Sequence, residues 1–134
     1  MSPPRRETVS LVSDRDVVLA RRRVWEEAAR LGFSVLDQTK IVTAASELAR
    51  NAIVHGGGGT VTIEAFDGVA RHKLQLTVED RGPGIADVAL ALTDGYSSGK
   101  GLGLGLSGSR RLVDEFELTT SPGEGTRVRI ARLA

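Results

Sequence analysis

Apolar residues recur along this chain in two rhythms, the three-to-four spacing of a helix and the alternation of a half-buried strand. Val17, Ala20, Val24, Ala28 and Leu31 fall on one helical stripe, opened by a capping box of Ser13 and Asp16 and stopped by Gly32. A second box, Ser34 with Asp37, opens a longer helix that runs to about His55. Its inward positions are Ile41, Ala45, Leu48 and Ala52, and the glycines at 56–59 end it. Val61, Ile63 and Ala65 then alternate with Thr62 and Glu64, and Leu74, Leu76 and Val78 with Gln75 and Thr77. These are two strands with one buried face each, joined by a hairpin loop at 67–71. Residues 7–12 read as a short strand, 86–92 as a short helix, and 107–116 as a helix with Leu112, Val113 and Phe116 inward. The strands 117–121 and 126–132 flank Pro122-Gly-Glu-Gly125, a turn sequence. Short hairpins make the sheet mostly antiparallel and leave the helices on one face. The expected fold is α+β, a two-layer sandwich.

Composition narrows the classes. At 134 residues and 40% hydrophobic, the chain is the size of one domain, spanning 1–134, with a real core. A net charge of +1 argues against a dedicated nucleic-acid binder. The absence of cysteine excludes disulfides and thiol chemistry and fits a reducing cytoplasm. No stretch reads as a signal peptide or membrane span. Sixteen glycines exceed the usual share of about 7%. They gather between the periodic segments, where backbone bends or closely approaches something.

Four pieces carry candidate chemistry. At about 100° per residue, Glu47 and Asn51 lie about 40° apart on the long helix, bordering its apolar stripe. As a lone pair they make a solvated polar flank. In a cleft, Asn51 would offer an oxygen to Mg²⁺ and Glu47 would orient or deprotonate a nucleophile. Asp80-Arg-Gly-Pro-Gly-Ile85 follows a strand directly. It is an ordinary strand-ending turn, or else Asp80 accepts from an adenine amino group while Gly82 and Gly84 leave room for the flat base. Gly99-Lys-Gly-Leu-Gly-Leu-Gly105 leads into a helix and can offer free N–H groups to phosphate. No Gly-Lys-Ser/Thr closes it, and no parallel βαβ unit surrounds it. A linker would favour serine over its alternating leucines. Gly123-Glu-Gly-Thr126 is a hairpin turn whose Thr126 hydroxyl can close the adenine end.

All four in this order resemble the GHKL ATPase superfamily, with its N-box, two G-boxes and lid. The resemblance spans nearly the whole chain. Ser46-Glu-Leu-Ala-Arg-Asn51, Glu79-Asp-Arg-Gly-Pro-Gly-Ile85, Gly101-Leu-Gly and Arg111-Leu-Val-Asp-Glu-Phe116 are most similar to the RsbT-type switch kinases. The resemblance implies a Bergerat-type fold, ATP and Mg²⁺ as cofactors, Glu47 as catalytic base and Asn51 as Mg²⁺ ligand. It puts Asp80 on adenine with Gly82, Gly84 and Thr126 beside it. Lys100, Gly101, Leu102, Gly103, Leu104 and Gly105 form the lid, with the glycines over the phosphates. Lys100 either touches a phosphate or stands as a solvated lid residue. The implied activity is serine/threonine phosphorylation of a STAS-domain partner, after which the released kinase activates a serine phosphatase. The alternatives are an RsbW-type anti-sigma factor and an ATP-gated interaction module without chemistry. Topoisomerase- and chaperone-type ATPases would need further domains.

Arg21–Arg23 reads as a solvated basic face, with docking of an acidic partner as the other reading. His55 reads as a packed or capping residue, and Trp25 as half-buried beside the first helix.

Overall fold

The structure is a computed structural model that describes residues 4–68, 71–85, 92 and 106–134. Its elements are β1 (Arg5–Leu11), α1 (Asp14–Arg30), α2 (Val35–Val54), β2 (Gly59–Asp67), β3 (His72–Asp80), α3 (Leu106–Arg111), β4 (Glu115–Ser121) and β5 (Gly125–Leu133). The strands form one sheet in the order β1-β2-β3-β5-β4, and every neighbouring pair is antiparallel. The α+β expectation holds. The short helix expected at 86–92 and the lid at 99–105 lie outside the described residues, apart from Leu92.

One element differs from its expected extent. The helix expected over 107–116 stops at Arg111, and Phe116 belongs to β4 opposite Ile130. The Asp114 N–H already bonds the Ala131 carbonyl, so the chain has joined β5 before it reaches Phe116. Leu112, Val113 and Phe116 pack against the core as expected, but from a link and a strand. Their i, i+1, i+4 spacing is helical and not that of a strand, and pairing of Asp114 and Phe116 with β5 overrides it.

The core lies between the sheet and the first two helices. Val61 and Ile63 of β2, Leu74, Leu76 and Val78 of β3, and Val128 and Ile130 of β5 are almost wholly buried. They meet Val17, Ala20, Val24 and Ala28 of α1 and Ile41, Ala44, Ala45, Leu48, Ala49 and Ala52 of α2. Alanines along α2 let its axis sit close to the strands. The opposite sheet face is polar, as expected where water covers one side. There Arg129 donates to Glu115 at 3.0 Å and to Gln75 at 3.3 Å. The Arg129 guanidinium, with Lys73 second, holds the Glu115 carboxyl below its ordinary range. Arg21–Arg23 are exposed, with Arg23 3.4 Å from Glu7 of β1, and Trp25 remains 40% exposed. No helix among the described residues is long and apolar enough to cross a membrane.

The start of α1 uses the acid that the sequence marks, and the start of α2 uses its serine. The Asp16 carboxylate accepts from the N–H groups of Val12 at 2.8 Å and Ser13 at 3.1 Å. The Ser34 hydroxyl accepts from the Asp37 N–H at 3.1 Å. Asp37's carboxylate has a further partner, the Arg132 guanidinium of β5, at 2.6 Å. Arg132 also donates to the Leu112 carbonyl at 2.7 Å. One cation thus ties the start of α2, the end of β5 and the α3–β4 link.

The hydrogen bond from Arg132 lowers the Asp37 pKa. A depressed carboxyl pKa contributes stability above the unfolded value, near 4, and loses it as pH falls through the folded value. Asp37→Asn is therefore expected to be less stable than the parent at pH 7, with the gap closing below pH 4. Urea unfolding at both values measures this, and a gap unchanged between them contradicts it.

Candidate functional site

The sequence-marked residues converge where β3 ends. Asp80 stands directly opposite Gly59 of β2 and Thr126 of β5, and Thr126 stands opposite Thr120 of β4. Directly opposed residues share a face. Asp80, Thr126 and Thr120 therefore form a row across three strands. Their face is the one that Val78 and Val128 bury under the helices, two positions along the same strands.

Backbone turns fix this row. Asp80 Oδ1 accepts from the Gly82 N–H at 2.9 Å, the side-chain turn that aspartate favours. Gly84 has φ +76°, and a side chain there would run into the Ser121 carbonyl. Gly125 has φ +87° and is buried, with the Asp80 carbonyl where a Cβ would stand. The Gly123 N–H bonds the Pro83 carbonyl at 2.7 Å, and the Ile85 N–H bonds the Thr120 hydroxyl at 2.9 Å. Loop 81–85 is thus clamped along its length by the β4–β5 hairpin.

The end of α2 seats on the same loop. A Cβ on Gly56 would strike the Asp80 side chain, and one on Gly82 would lie 2.5 Å from Gly56 Cα and 2.9 Å from the His55 carbonyl. His55 caps α2, its N–H bonding the Asn51 carbonyl at 2.9 Å. Asn51 therefore sits one turn before the glycine that abuts Asp80. Glu47 lies a turn earlier on the same flank, and both are half-buried beside Leu48 and Ala52. Arg50 approaches Glu47 at 3.5 Å. Both side chains reach solvent, and such a pair is worth less than about 1 kcal/mol.

A cavity of about 290 Å³ opens at this end of the sheet, lined by residues 79–81, 119–121 and 124–127, so that it takes in Glu79, Thr119 and Arg127 of the outer face as well as Asp80, Thr120 and Thr126. Glu47 and Asn51 are not among its lining residues. Asp80, Gly82, Gly84 and Thr126 are brought together, and the helix pair stands on the adjoining turns of α2. Lys100, Gly101, Leu102, Gly103, Leu104 and Gly105 lie outside the described residues.

Sequence reading missed Gly56, Gly125 and Thr120. The first passes as a helix stop and the second as a turn glycine. Thr120 was open to counting: a turn that pairs Ser121 with Gly125 must pair Thr120 with Thr126.

Residues 36–134 match the model of the histidine kinase-, DNA gyrase B-, and HSP90-like ATPases, and the chain belongs to that family. It is 42% identical over 120 residues to the serine/threonine-protein kinase RsbT of Bacillus subtilis (strain 168), covering 90% of each chain. Similarity to the anti-sigma F factor of Thermoanaerobacter sp. (strain X514) is 33% over 119 residues, covering 84% of this chain and 82% of the other. The RsbU and RsbW domains of Rv1364c from Mycobacterium tuberculosis superpose with a TM-score of 0.65 at 25% identity, over 98% of this chain and 33% of that one. The catalytic domain of histidine kinase ThkA shares the fold, with a TM-score of 0.52 at 17% identity over 94% of this chain and 95% of the other.

Gly125→Ala is expected to cost more than the roughly 1–2 kcal/mol of a left-handed alanine, because its Cβ also meets the Asp80 carbonyl. Chemical denaturation measures the loss. A variant as stable as the parent would contradict the close packing of β5 on β3.

Proposed function

We propose that the chain is an ATP-dependent serine/threonine protein kinase of the RsbT type, with its nucleotide held at the end of β3. One observation carries this reading: a carboxylate fixed by its own loop stands among glycines that leave no room for a side chain, next to a helix presenting Glu47 and Asn51. The chain's 42% identity to a kinase named RsbT supports it.

The residues present fit adenosine triphosphate. Asp80 keeps acceptor capacity beyond the Gly82 bond, which suits the amino group of adenine. Gly82 and Gly84 let the flat ring approach the backbone. Gly101, Gly103 and Gly105 would lie over the phosphates, with Lys100 either touching one or standing solvated. Asn51 fits a Mg²⁺ ion carried mainly by phosphate oxygens, the usual way this ion binds a nucleotide site, and the ion would neutralise developing phosphate charge.

The nucleophile comes from the partner. Its serine or threonine oxygen forms a bond to the γ-phosphorus while the bond from that phosphorus to the β–γ bridging oxygen breaks. ADP leaves with that electron pair, and the hydroxyl proton passes to the Glu47 carboxylate. The chain's residues hold and orient the reactants in this step.

The partner we propose is a STAS-domain regulatory protein, with a serine phosphatase as the effector of the released kinase, in the cytoplasm. A net charge of +1 offers nucleic acid little attraction. A second reading, an anti-sigma factor that holds a sigma factor, draws on the 33% identity to anti-sigma F factors. Capture of partners from native extract with and without ATP separates the two. A STAS protein or phosphatase supports the first reading, and a sigma factor the second.

Two substitutions test the site. Glu47→Ala is expected to lower phosphoryl transfer to the captured STAS protein by about 10²–10⁴-fold, with ATP affinity largely kept. Unchanged transfer would remove Glu47 from the role of base. Asp80→Asn is expected to weaken ATP binding by at least roughly 1.5–3 kcal/mol, the worth of a charged hydrogen bond. Calorimetry with no loss would refute the adenine contact.

A further inference from the structure

The Thr120 hydroxyl meets three polar groups at once. Its oxygen lies 2.9 Å from the Ile85 nitrogen, 3.0 Å from the Gly125 carbonyl oxygen and 3.1 Å from the Thr126 hydroxyl oxygen. A hydroxyl carries one proton and two lone pairs. The Ile85 N–H can only donate, so it takes one lone pair. The Gly125 carbonyl can only accept, so it takes the proton. What remains for Thr126 is the second lone pair, so the direction that lets all three contacts be hydrogen bonds at once has Thr126 donating. Thr120 is saturated, and the single proton of Thr126 is committed to it.

This has a chemical consequence for the row at the sheet's end. With its proton turned toward Thr120, Thr126 presents only lone pairs to a ligand. Asp80, directly opposite, presents a carboxylate, also an acceptor. We infer that Thr120, through Thr126, sets the hydrogen-bond polarity of this wall, so that it takes a purine carrying an amino group at its six-position and turns away one carrying an oxo group there. Thr120 is a positioning residue, acting through Thr126 rather than touching the base. The inference rests on the reading of Asp80 and Thr126 as the base wall. It goes beyond that reading by assigning discrimination between bases to a residue outside the motifs.

The physical basis is the asymmetry of mismatch. Half-buried acceptors facing a ligand acceptor leave both unpaired, and such polar mismatches discriminate more strongly than missing bulk. Were the Thr126 proton released, that hydroxyl could rotate and donate to an oxo group. Selectivity would then fall even with Asp80 untouched.

Thr120→Val removes the hydroxyl at nearly constant volume, and Thr120→Ser restores it. Affinities for ATP and GTP are measured by calorimetry on the full chain, and exchange of the Ile85 amide is followed by NMR without nucleotide. The parent and Thr120→Ser are expected to prefer ATP. Thr120→Val is expected to lose at least about tenfold of the ATP-to-GTP ratio, and its Ile85 amide to exchange faster. In a Thr126→Val background, Thr120→Val should leave the ratio unchanged. A purely structural role would weaken both nucleotides alike and leave the ratio intact, which overturns the inference, as does a serine variant that behaves like valine. A parent that binds neither nucleotide overturns the wall reading and this inference with it. A parent that prefers ATP beside an unaltered Thr120→Val ratio overturns this inference alone. Thr120→Ala, which adds no bulk, repeats the test where the valine variant does not fold.

Discussion

The last turn of α2 reaches the end of β3 through backbone contact, and only glycine permits it. Gly56 lies where any Cβ would strike Asp80, and Gly82 lies where one would strike Gly56. Everything at the site depends on this approach. It sets the flank of Glu47 and Asn51 on the adjoining turns beside the carboxylate on the strand. It also leaves the end of the sheet without bulk, so that space exists beside Asp80. A larger residue at either glycine would wedge the helix off the sheet and part the two halves of the site.

The two ends of α2 are held by different forces. At its start, the Asp37–Arg132 pair at 2.6 Å joins the helix to β5 and, through the Leu112 carbonyl, to the α3–β4 link. At its finish, among the described residues, fitted backbone takes the place of such a charge pair. Between them, Ile41, Ala45, Leu48 and Ala52 lie on the strands. Directional, strong contacts thus fix the end away from the site. The end at the site is defined by close packing of small residues, which consumes none of the polar groups a ligand would need. Asp80 spends one oxygen on its own loop and keeps the rest.

The fold was legible because its elements obey single periods. Alternation in 61–65 and 74–78 and the stripes of α1 and α2 each admit one reading, and the structure follows them. The helix expected at 107–116 ends at Arg111 although Leu112, Val113 and Phe116 keep a helical spacing. Pairing of Phe116 with Ile130, fourteen residues on, is a tertiary choice that no local pattern carries. The site was legible in part for a similar reason. Asp80, Gly82, Gly84 and Thr126 announce themselves as strand-end and turn chemistry. Gly56 and Thr120 do not, since one resembles any helix stop and the other any strand threonine. Their importance arises from what lies across the chain: Asp80 for the first, Ile85 and Gly125 for the second.

The wall at the end of the sheet is bonded independently of the outer helical surface. The wall is assembled from β3, β5 and β4, with loop 81–85 bonded to the β4–β5 hairpin at two points. These bonds close on themselves and involve none of the exposed residues of α1, such as Val18 and Trp25. Substitution on that outer helical surface therefore leaves the hydrogen-bond count at the wall unchanged. Residues in separate networks with no shared partner contribute nearly independently to free energy. The wall therefore does not choose between the kinase and anti-sigma readings, whereas the 42% against 33% identity favours the kinase.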